Sequence, residues 1–276
     1  MGKLKTLGFK TLYVEHLLTD MHQAQLDLFL TTQRLPDDLK RYLKQLDRGY
    51  MPNYKGSDTY TEVVQAAARH GLRIRALDCI ASYNIKGLAE KDLARNQMFS
   101  YFASKVIAAD QAAHGPHKWV AFVGSTHTNM NLGVPGLAEL QGAVSLHVRD
   151  TAPALAKNIR PGGWETLHEG ISPRALRGDF ILDAGVAGTQ APAPFVPADR
   201  SRLNRPGLYL IERPSPSQSN LVHHSRSGEI VSTPIKIDKD GLFYVDRWAQ
   251  MQGQRFSHEK ILIDALHVEV RLVPAP

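Results

Sequence analysis

The sequence predicts an α/β protein: an open, mainly parallel sheet with helices on both faces, followed by a small α+β module. Three observations predict it. Apolar runs of strand length recur between longer helical patterns, at residues 10–18, 72–79 and 119–123, the alternation that builds parallel sheets. Each run ends on polar residues: Glu15-His16, Asp78, and Ser125-Thr126-His127 after Gly124. Beyond residue 206 the helical periodicity gives way to short β-rich runs separated by Pro/Ser, Ser-Gly and Asp-Gly turn signals. The organisation that follows is an α/β domain over residues 1–150, a Gly/Ala/Pro-rich linker over 151–205 with a short ordered piece at 179–182, and a β-rich module over 206–276.

Taken in order, residues 3–7 read as the tail of a helix and residues 10–18 (KTLYVEHLL) as a buried strand, Leu12 and Val14 standing among β-formers. A carboxylate at the carboxyl end of a parallel strand is costly to desolvate unless it is paired, hydrogen-bonded or bound to a cation, which singles out Glu15. Residues 19–31 form a helix that Thr19 or Asp20 can cap, and residues 36–46 a second with Leu39, Leu43 and Leu46 as its apolar stripe. Residues 48–57 make a polar loop whose Tyr50 and Tyr54 are candidates to reach into a site. A helix from Ser57 or Asp58 to His70 is stopped by Gly71, and residues 72–79 give the next strand, with Asp78 near its end. Residues 89–114 carry the longest helical pattern, with Leu93, Met98, Phe102, Val106 and Ile107 as its apolar face and Arg95 and Asn96 in its first turns. After the strand at 119–123, a short helix and an apolar run at 143–148 complete the pattern, the run being expected as a fourth strand of the same sheet.

Composition bounds the function. Of 276 residues, 43% are hydrophobic and 22% charged, an ordinary globular balance. The formal net charge of +6 is scattered, with no block of like charges and no basic-aromatic run, so no nucleic-acid partner is expected. The single cysteine, Cys79, forms no internal disulfide and is expected in the core. No stretch has the apolar length of a membrane span, and the opening Met-Gly-Lys-Leu-Lys lacks the apolar segment of a secretory signal.

In an open α/β sheet, ligands collect at the carboxyl edge of the strands, which is where His127 falls. Histidine serves as a general base or a metal ligand near neutral pH, and glutamate can orient it, act as an acid or coordinate a cation. The candidate catalytic residues are therefore Glu15, Arg95 and His127, with Asn96, Asp78, Ser125 and Thr126 lining the substrate side. Glu15 and His127 are the candidate metal ligands. His16, next to Glu15 on a strand, is expected to face away. Such a cluster suits hydrolysis of an ester, amide or phosphoester, with Arg95 stabilising developing negative charge. Ser125 lacks the Gly-x-Ser-x-Gly elbow of an acyl-enzyme nucleophile.

Tyr13-Val14-Glu15-His16, Arg95-Asn96-x-Met98 and Gly124-Ser125-Thr126-His127 followed by Gly133-Val134-Pro135 resemble the ChaN-like branch of the erythromycin-esterase/ChaN/TIKI superfamily, as found in large bacterial toxins of the dermonecrotic and mitogenic type. The resemblance covers residues 8–150. It implies a toxin or secreted effector module acting on host cells, with Glu15, Arg95 and His127 lining the pocket. It leaves the cofactor open between a divalent metal, haem and none, and the partner open between a host protein and a small ester, amide or phosphoester. Membrane association is implied only through a larger parent chain. The alternative is a non-catalytic haem- or protein-binding scaffold, with Tyr50, Tyr54 or His127 as axial ligand. The family's first motif, Gly-Glu-x-His, is missing, and the chain is expected to begin downstream of it. The tail from Gly207 also resembles a Src-homology-2-type module, whose phosphate-binding arginine falls at Glu212, with Arg213 one place out of register.

Overall fold

The computed structural model describes residues 1–50, 59–83, 85, 91–156, 158–167, 174–186, 199–215, 218–247 and 251–272. The chain divides into two compact units, Met1–His127 and Thr128–Pro276. The described residues give a mixed α/β protein with a parallel sheet, a mixed sheet, an antiparallel sheet and helices.

In the first unit, α1 (Gly2–Thr6) leads into β1 (Phe9–Leu18), α2 (Thr19–Thr32), α3 (Asp37–Tyr50), α4 (Tyr60–Arg69), β2 (Arg73–Asp78), α5 (Ile80–Tyr83), α6 (Lys91–His114) and β3 (Lys118–Phe122). The strands are all parallel, in the order β2-β1-β3. Thr59 caps α4 by accepting the Glu62 N–H at 3.2 Å, and Gly71, at φ +66°, turns the chain from α4 into β2. Alternation along β1 divides the work of the sheet's two faces. Leu12 and Val14, with Ile74 and Ala76 of β2, pack against Leu26 and Phe29 of α2, Leu39 and Leu43 of α3, and Val64 and Ala67 of α4. The other face, bearing Thr11, Tyr13 and Glu15, is polar and lies against α6.

That polarity changes which side of α6 is buried. Asn96, Phe99, Ser100, Ala103, Ile107 and Asp110 form its buried stripe, whereas Met98, expected inside, is exposed. Periodicity of apolar residues misplaces the face because the helix covers carboxylates and hydroxyls. Near the carboxyl end of α6, the buried Asp110 accepts the Tyr13 hydroxyl at 2.8 Å and Arg73 Nη2 at 3.0 Å, with Arg75 Nε at 3.6 Å. Burial pushes the Tyr13 phenol well above its ordinary pKa, so it stays a donor. Tyr13→Phe leaves a buried carboxylate short of one donor and is expected to cost about 1–3 kcal/mol in chemical denaturation. A loss near zero would show that Asp110 is satisfied without it.

The second unit contains α7 (Leu137–Gln141), β4 (Leu146–Thr151), β5 (Arg160–Leu167), β6 (Arg174–Gly185), β7 (Tyr209–Ser215), β8 (Gln218–His224), β9 (Ile230–Ile237), β10 (Phe243–Tyr244) and α8 (Glu259–Leu272). One sheet has the order β4-β6-β5, with β4 parallel and β5 antiparallel to β6. The other is the antiparallel β10-β9-β8-β7, whose core joins Leu221, Ile235, Phe243, Val245, Leu262 and Leu266. Here too the structure differs from the sequence reading. The run at 143–148 supplies β4, which pairs with β6 instead of extending the parallel sheet. The stretch 151–205 contains β5 and β6, not only a short ordered piece. Gly162, in the stretch that read as linker, allows these strands to meet: a Cβ there would lie 2.0 Å from the Gly178 carbonyl oxygen.

Candidate active site

All the sequence-predicted site residues lie in the first unit, at the carboxyl edge of its sheet. β1 is irregular there. Val14 pairs with Ala76 but Leu18 with Asp78, so four steps along β1 match two along β2. Glu15, His16 and Leu17 lie within this bulged stretch, the kind of irregularity that re-aims side chains at strand ends. Asp78 closes β2, and α5 begins immediately after it, its Ile80 N–H donating to Asp20 at 3.1 Å. Thr19 reaches across to the Asp78 carbonyl at 3.0 Å, tying the two strand ends together. Past β3, Gly124 leads into a single 3-10 turn, Ser125–His127, in which the His127 N–H donates to the Gly124 carbonyl at 2.9 Å.

Arg95, in the first turns of α6, joins the two strand-end carboxylates. Its Nη2 lies 2.5 Å from Asp78 Oδ2 and 3.3 Å from Glu15 Oε1, and its Nη1 donates to Ser82 Oγ at 3.1 Å. Ser82 in turn donates to Asp78 Oδ1, which also accepts the Cys79 N–H at 2.8 Å. Glu15 Oε2 accepts the Gly124 N–H at 2.5 Å, and Glu15 Oε1 lies 3.4 Å from His127 Nε2. A Cβ at Gly124 would stand 3.3 Å from Glu15 Oε2, close enough that the carboxyl would have to shift by a few tenths of an ångström. Phe99 completes the enclosure, its ring 4.3 Å from the His127 imidazole and 5.1 Å from the Arg95 guanidinium. Among the described residues, His127 Nδ1 is buried without a hydrogen-bond partner.

The electrostatics follow from burial. Desolvation raises Glu15 from 4.5 to about 7, against the Gly124 hydrogen bond and the Arg95 charge, which pull it down. Asp78 is raised for the same first reason. Burial, then Arg95, lowers His127 from 6.5 to about 3. His16 is lowered to about 4 by the same two causes, and its charge is felt at His127. His16 itself turns away from the carboxylates, as alternation predicts: its ring meets Tyr60 of α4 edge-on at 5.6 Å, on the face that packs against α2, α3 and α4. At neutral pH the histidines are uncharged and Glu15 is poised to gain or lose a proton.

Glu15, Asp78, Arg95 and His127 are thus brought together as expected. Asn96 is buried beside Arg95, and Ser125 and Thr126 are half-buried in the turn that presents His127. Sequence reasoning missed Ser82, Phe99 and the Gly124 N–H. Of these only Ser82 left a signal, a serine four residues after a strand-end aspartate. The expected metal pair does not fit well: the Arg95 guanidinium already holds the cation position between Glu15 and Asp78. Among the described residues no three His, Cys, Asp or Glu are placed to hold a metal ion. Cys79, expected in the core, is half-buried. Tyr54 and the side chain of Tyr50 lie outside the described residues. At the position of the phosphate-binding arginine, Glu212 is bound bidentately by Arg200 at 2.6 and 2.8 Å, and Arg213 is paired with Glu259.

The solved structures to which this chain is similar include effector domains of bacterial toxins. RRSP, a MARTX toxin effector domain from Vibrio vulnificus CMCP6, is 26% identical over 51% of this chain and 27% of its own, with a TM-score of 0.41. The C-terminal region of Pasteurella multocida toxin, described as having a thiol-protease-like catalytic triad, is 15% identical over 71% of this chain and 23% of its own, with a TM-score of 0.42. The type III effector HopBA1 is 14% identical over 67% and 77%, with a TM-score of 0.42. This chain spans about a quarter of the length of the first of these. No protein-family model and no curated protein matches it.

Proposed function

We propose that this chain is a module of a bacterial toxin or effector delivered to host cells, and that its first unit is a ChaN-like hydrolase acting on an ester, amide or phosphoester bond. The observation that carries the reading is Glu15: a buried carboxyl raised to about 7, in contact with a permanent cation and a neutral imidazole. A general acid-base works best when its pKa lies near the working pH. In the ionised form Glu15 takes a proton from an attacking water. In the protonated form it returns that proton to the leaving group. Arg95, partly exposed beside it, offsets the negative charge that develops on the attacked carbonyl or phosphoryl oxygen. His127 Nε2 faces the Glu15 carboxyl and orients it. The partner is a host protein or a small molecule bearing such a bond. Among the described residues no helix is long and apolar enough to cross a membrane, so any membrane attachment is assigned to a larger parent chain.

The test uses two substrate pools: a host-cell lysate read for new peptide N-termini, and a panel of chromogenic esters and phosphoesters. Hydrolysis is expected with the wild type and is lost in Glu15→Gln and His127→Ala, both checked for folding. Hydrolysis that survives in both variants sinks this site, and an inactive wild type on both pools counts against a hydrolase.

A further inference from the structure

Arg95 is shared unequally between the two carboxylates that it joins. Its Nη2 stands 2.5 Å from Asp78 Oδ2 but 3.3 Å from Glu15 Oε1. Charge-assisted N–H···O bonds run to about 2.7–2.9 Å, so the first contact is a full ion-pair bond and the second a loose one. Nη1 follows the first: it donates at 3.1 Å to Ser82 Oγ, and Ser82 donates to the other oxygen of Asp78. Both arms of the guanidinium fork therefore close on one Asp78–Ser82 pair, directly and through the hydroxyl. Glu15 is left with the remaining hydrogen of Nη2.

The pair is built to stay in place. Asp78 is the last residue of β2, and Ser82 stands one helical turn later in α5. Asp78 Oδ1 also accepts the Cys79 N–H at 2.8 Å, and the Asp78 carbonyl accepts the Thr19 hydroxyl at 3.0 Å. The Ile80 N–H just beyond is held by Asp20 at 3.1 Å. Phe99 lies over the guanidinium at 5.1 Å and limits its swing. The Asp78 side chain is wholly buried and Ser82 nearly so, whereas the Arg95 side chain is 21% exposed. Asp78 is thus out of a substrate's reach, and Arg95 is not.

We propose that Asp78 and Ser82 are positioning residues: together they hold the Arg95 guanidinium back from Glu15 and aimed at the oxygen on which charge develops. The assignment rests on the hydrolase reading above. Without this restraint the cation closes on Glu15, because opposite charges 3.3 Å apart attract strongly where the dielectric is low. Two functions then fail together. The carboxylate that takes up the proton is already paired, and the developing oxyanion loses its cation. Of the two contacts Arg95 makes, the longer one is the one that catalysis needs.

Unfolding in urea at about pH 8, above the point near 7 at which Glu15 ionises, tests the restraint without any substrate. The coupling between Arg95→Met and Glu15→Gln is expected to rise about tenfold in unfolding constant when Asp78→Asn is added, since the freed guanidinium then pairs with Glu15. Equal coupling with and without Asp78 overturns the proposal. Turnover on the ester and phosphoester panel gives the second readout. Asp78→Asn is expected to lower kcat about a hundredfold, the cost of misplacing a group by about 1 Å, with KM within about twofold of the wild type. Ser82→Ala lowers kcat by less, and Ser82→Thr, which keeps the hydroxyl, restores it. A role confined to folding leaves kcat per folded molecule unchanged. Should Asp78→Asn not fold, Ser82→Ala takes its place in both measurements, with smaller effects of the same sign. Full turnover in a folded Asp78→Asn or in Ser82→Ala sinks the positioning role. A wild type that hydrolyses nothing counts against the hydrolase reading instead, and the restraint on Arg95 still stands or falls by the coupling.

Discussion

Replacing Arg95 by methionine is expected to destabilise the first unit by about 3–5 kcal/mol at neutral pH, the range for removing one partner from a buried ion pair. Methionine matches much of the arginine's volume, so the loss isolates the charge. Asp78 is fully buried and Glu15 nearly so, and Arg95 is the cation bonded to both. Without it, two carboxyl groups share an apolar enclosure formed by Phe99 and the strand ends, and Ser82 loses the guanidinium it accepts from. The effect contrasts with an exposed pair such as Lys236–Asp246, whose attraction the solvent screens. Urea denaturation at neutral pH and again near pH 5 reads the difference. The loss shrinks at the lower pH, where Glu15 takes up a proton. A loss under about 1 kcal/mol at neutral pH would mean that the carboxylates are neutralised by something other than Arg95.

Glu15→Gln is expected to have the opposite sign under alkaline conditions. Glu15 ionises at 4.5 in an ordinary environment and at about 7 in the fold. Its contribution is therefore fully present below 4.5 and is lost as pH rises through 7. Over that interval the wild type gives up about 3 kcal/mol from this one group, which glutamine, unable to ionise, retains. Glutamine also preserves an acceptor for the Gly124 N–H. The variant is thus more stable than the wild type near pH 8 and close to it near pH 5. Asp78, raised as well, leaves part of the alkaline slope in the variant. The histidines act on the other side. His127 and His16 are lowered from 6.5 to about 3 and about 4, so their contribution is present above 6.5 and lost as pH falls through those values. His127→Gln flattens that acid limb. A stability difference between Glu15→Gln and the wild type that stays constant from about pH 5 to 8 would show that Glu15 ionises normally in the fold.

Most of the first unit was legible because its order is local. Strand ends, caps and glycine stops lie within a few residues of what they control, so the elements from β1 to β3 were readable apart from the short α5 and the last turn of α3, which reaches into the stretch 48–50 read as loop, and so was the polar edge that collects Glu15, Asp78, Arg95 and His127. What escaped was non-local or side-chain-specific. The buried side of α6 was misjudged because it is chosen by Tyr13, Glu15 and Arg73 on other elements, not by the helix's own apolar residues. β4 was assigned to the wrong sheet because strand partners far apart in sequence carry no pairing label, and β5 and β6 hid in a stretch whose glycines and prolines look like a linker.

The two ends of α6 are fastened to the same strand. Arg95 reaches Glu15, and Asp110 takes the hydroxyl of Tyr13, two positions earlier on β1. Along the helix these fastenings are fifteen residues apart, about 22 Å at 1.5 Å per residue. Along the strand they are two residues apart, about 7 Å. Long side chains splayed in opposite directions span the difference, like a pair of stays running from one mast foot to both ends of a boom. A helix held in this way cannot drift lengthwise without slackening one stay and straining the other. The distance between Arg95 and the Glu15 carboxyl is thus governed partly from the far end of the same helix, by groups that never touch the site.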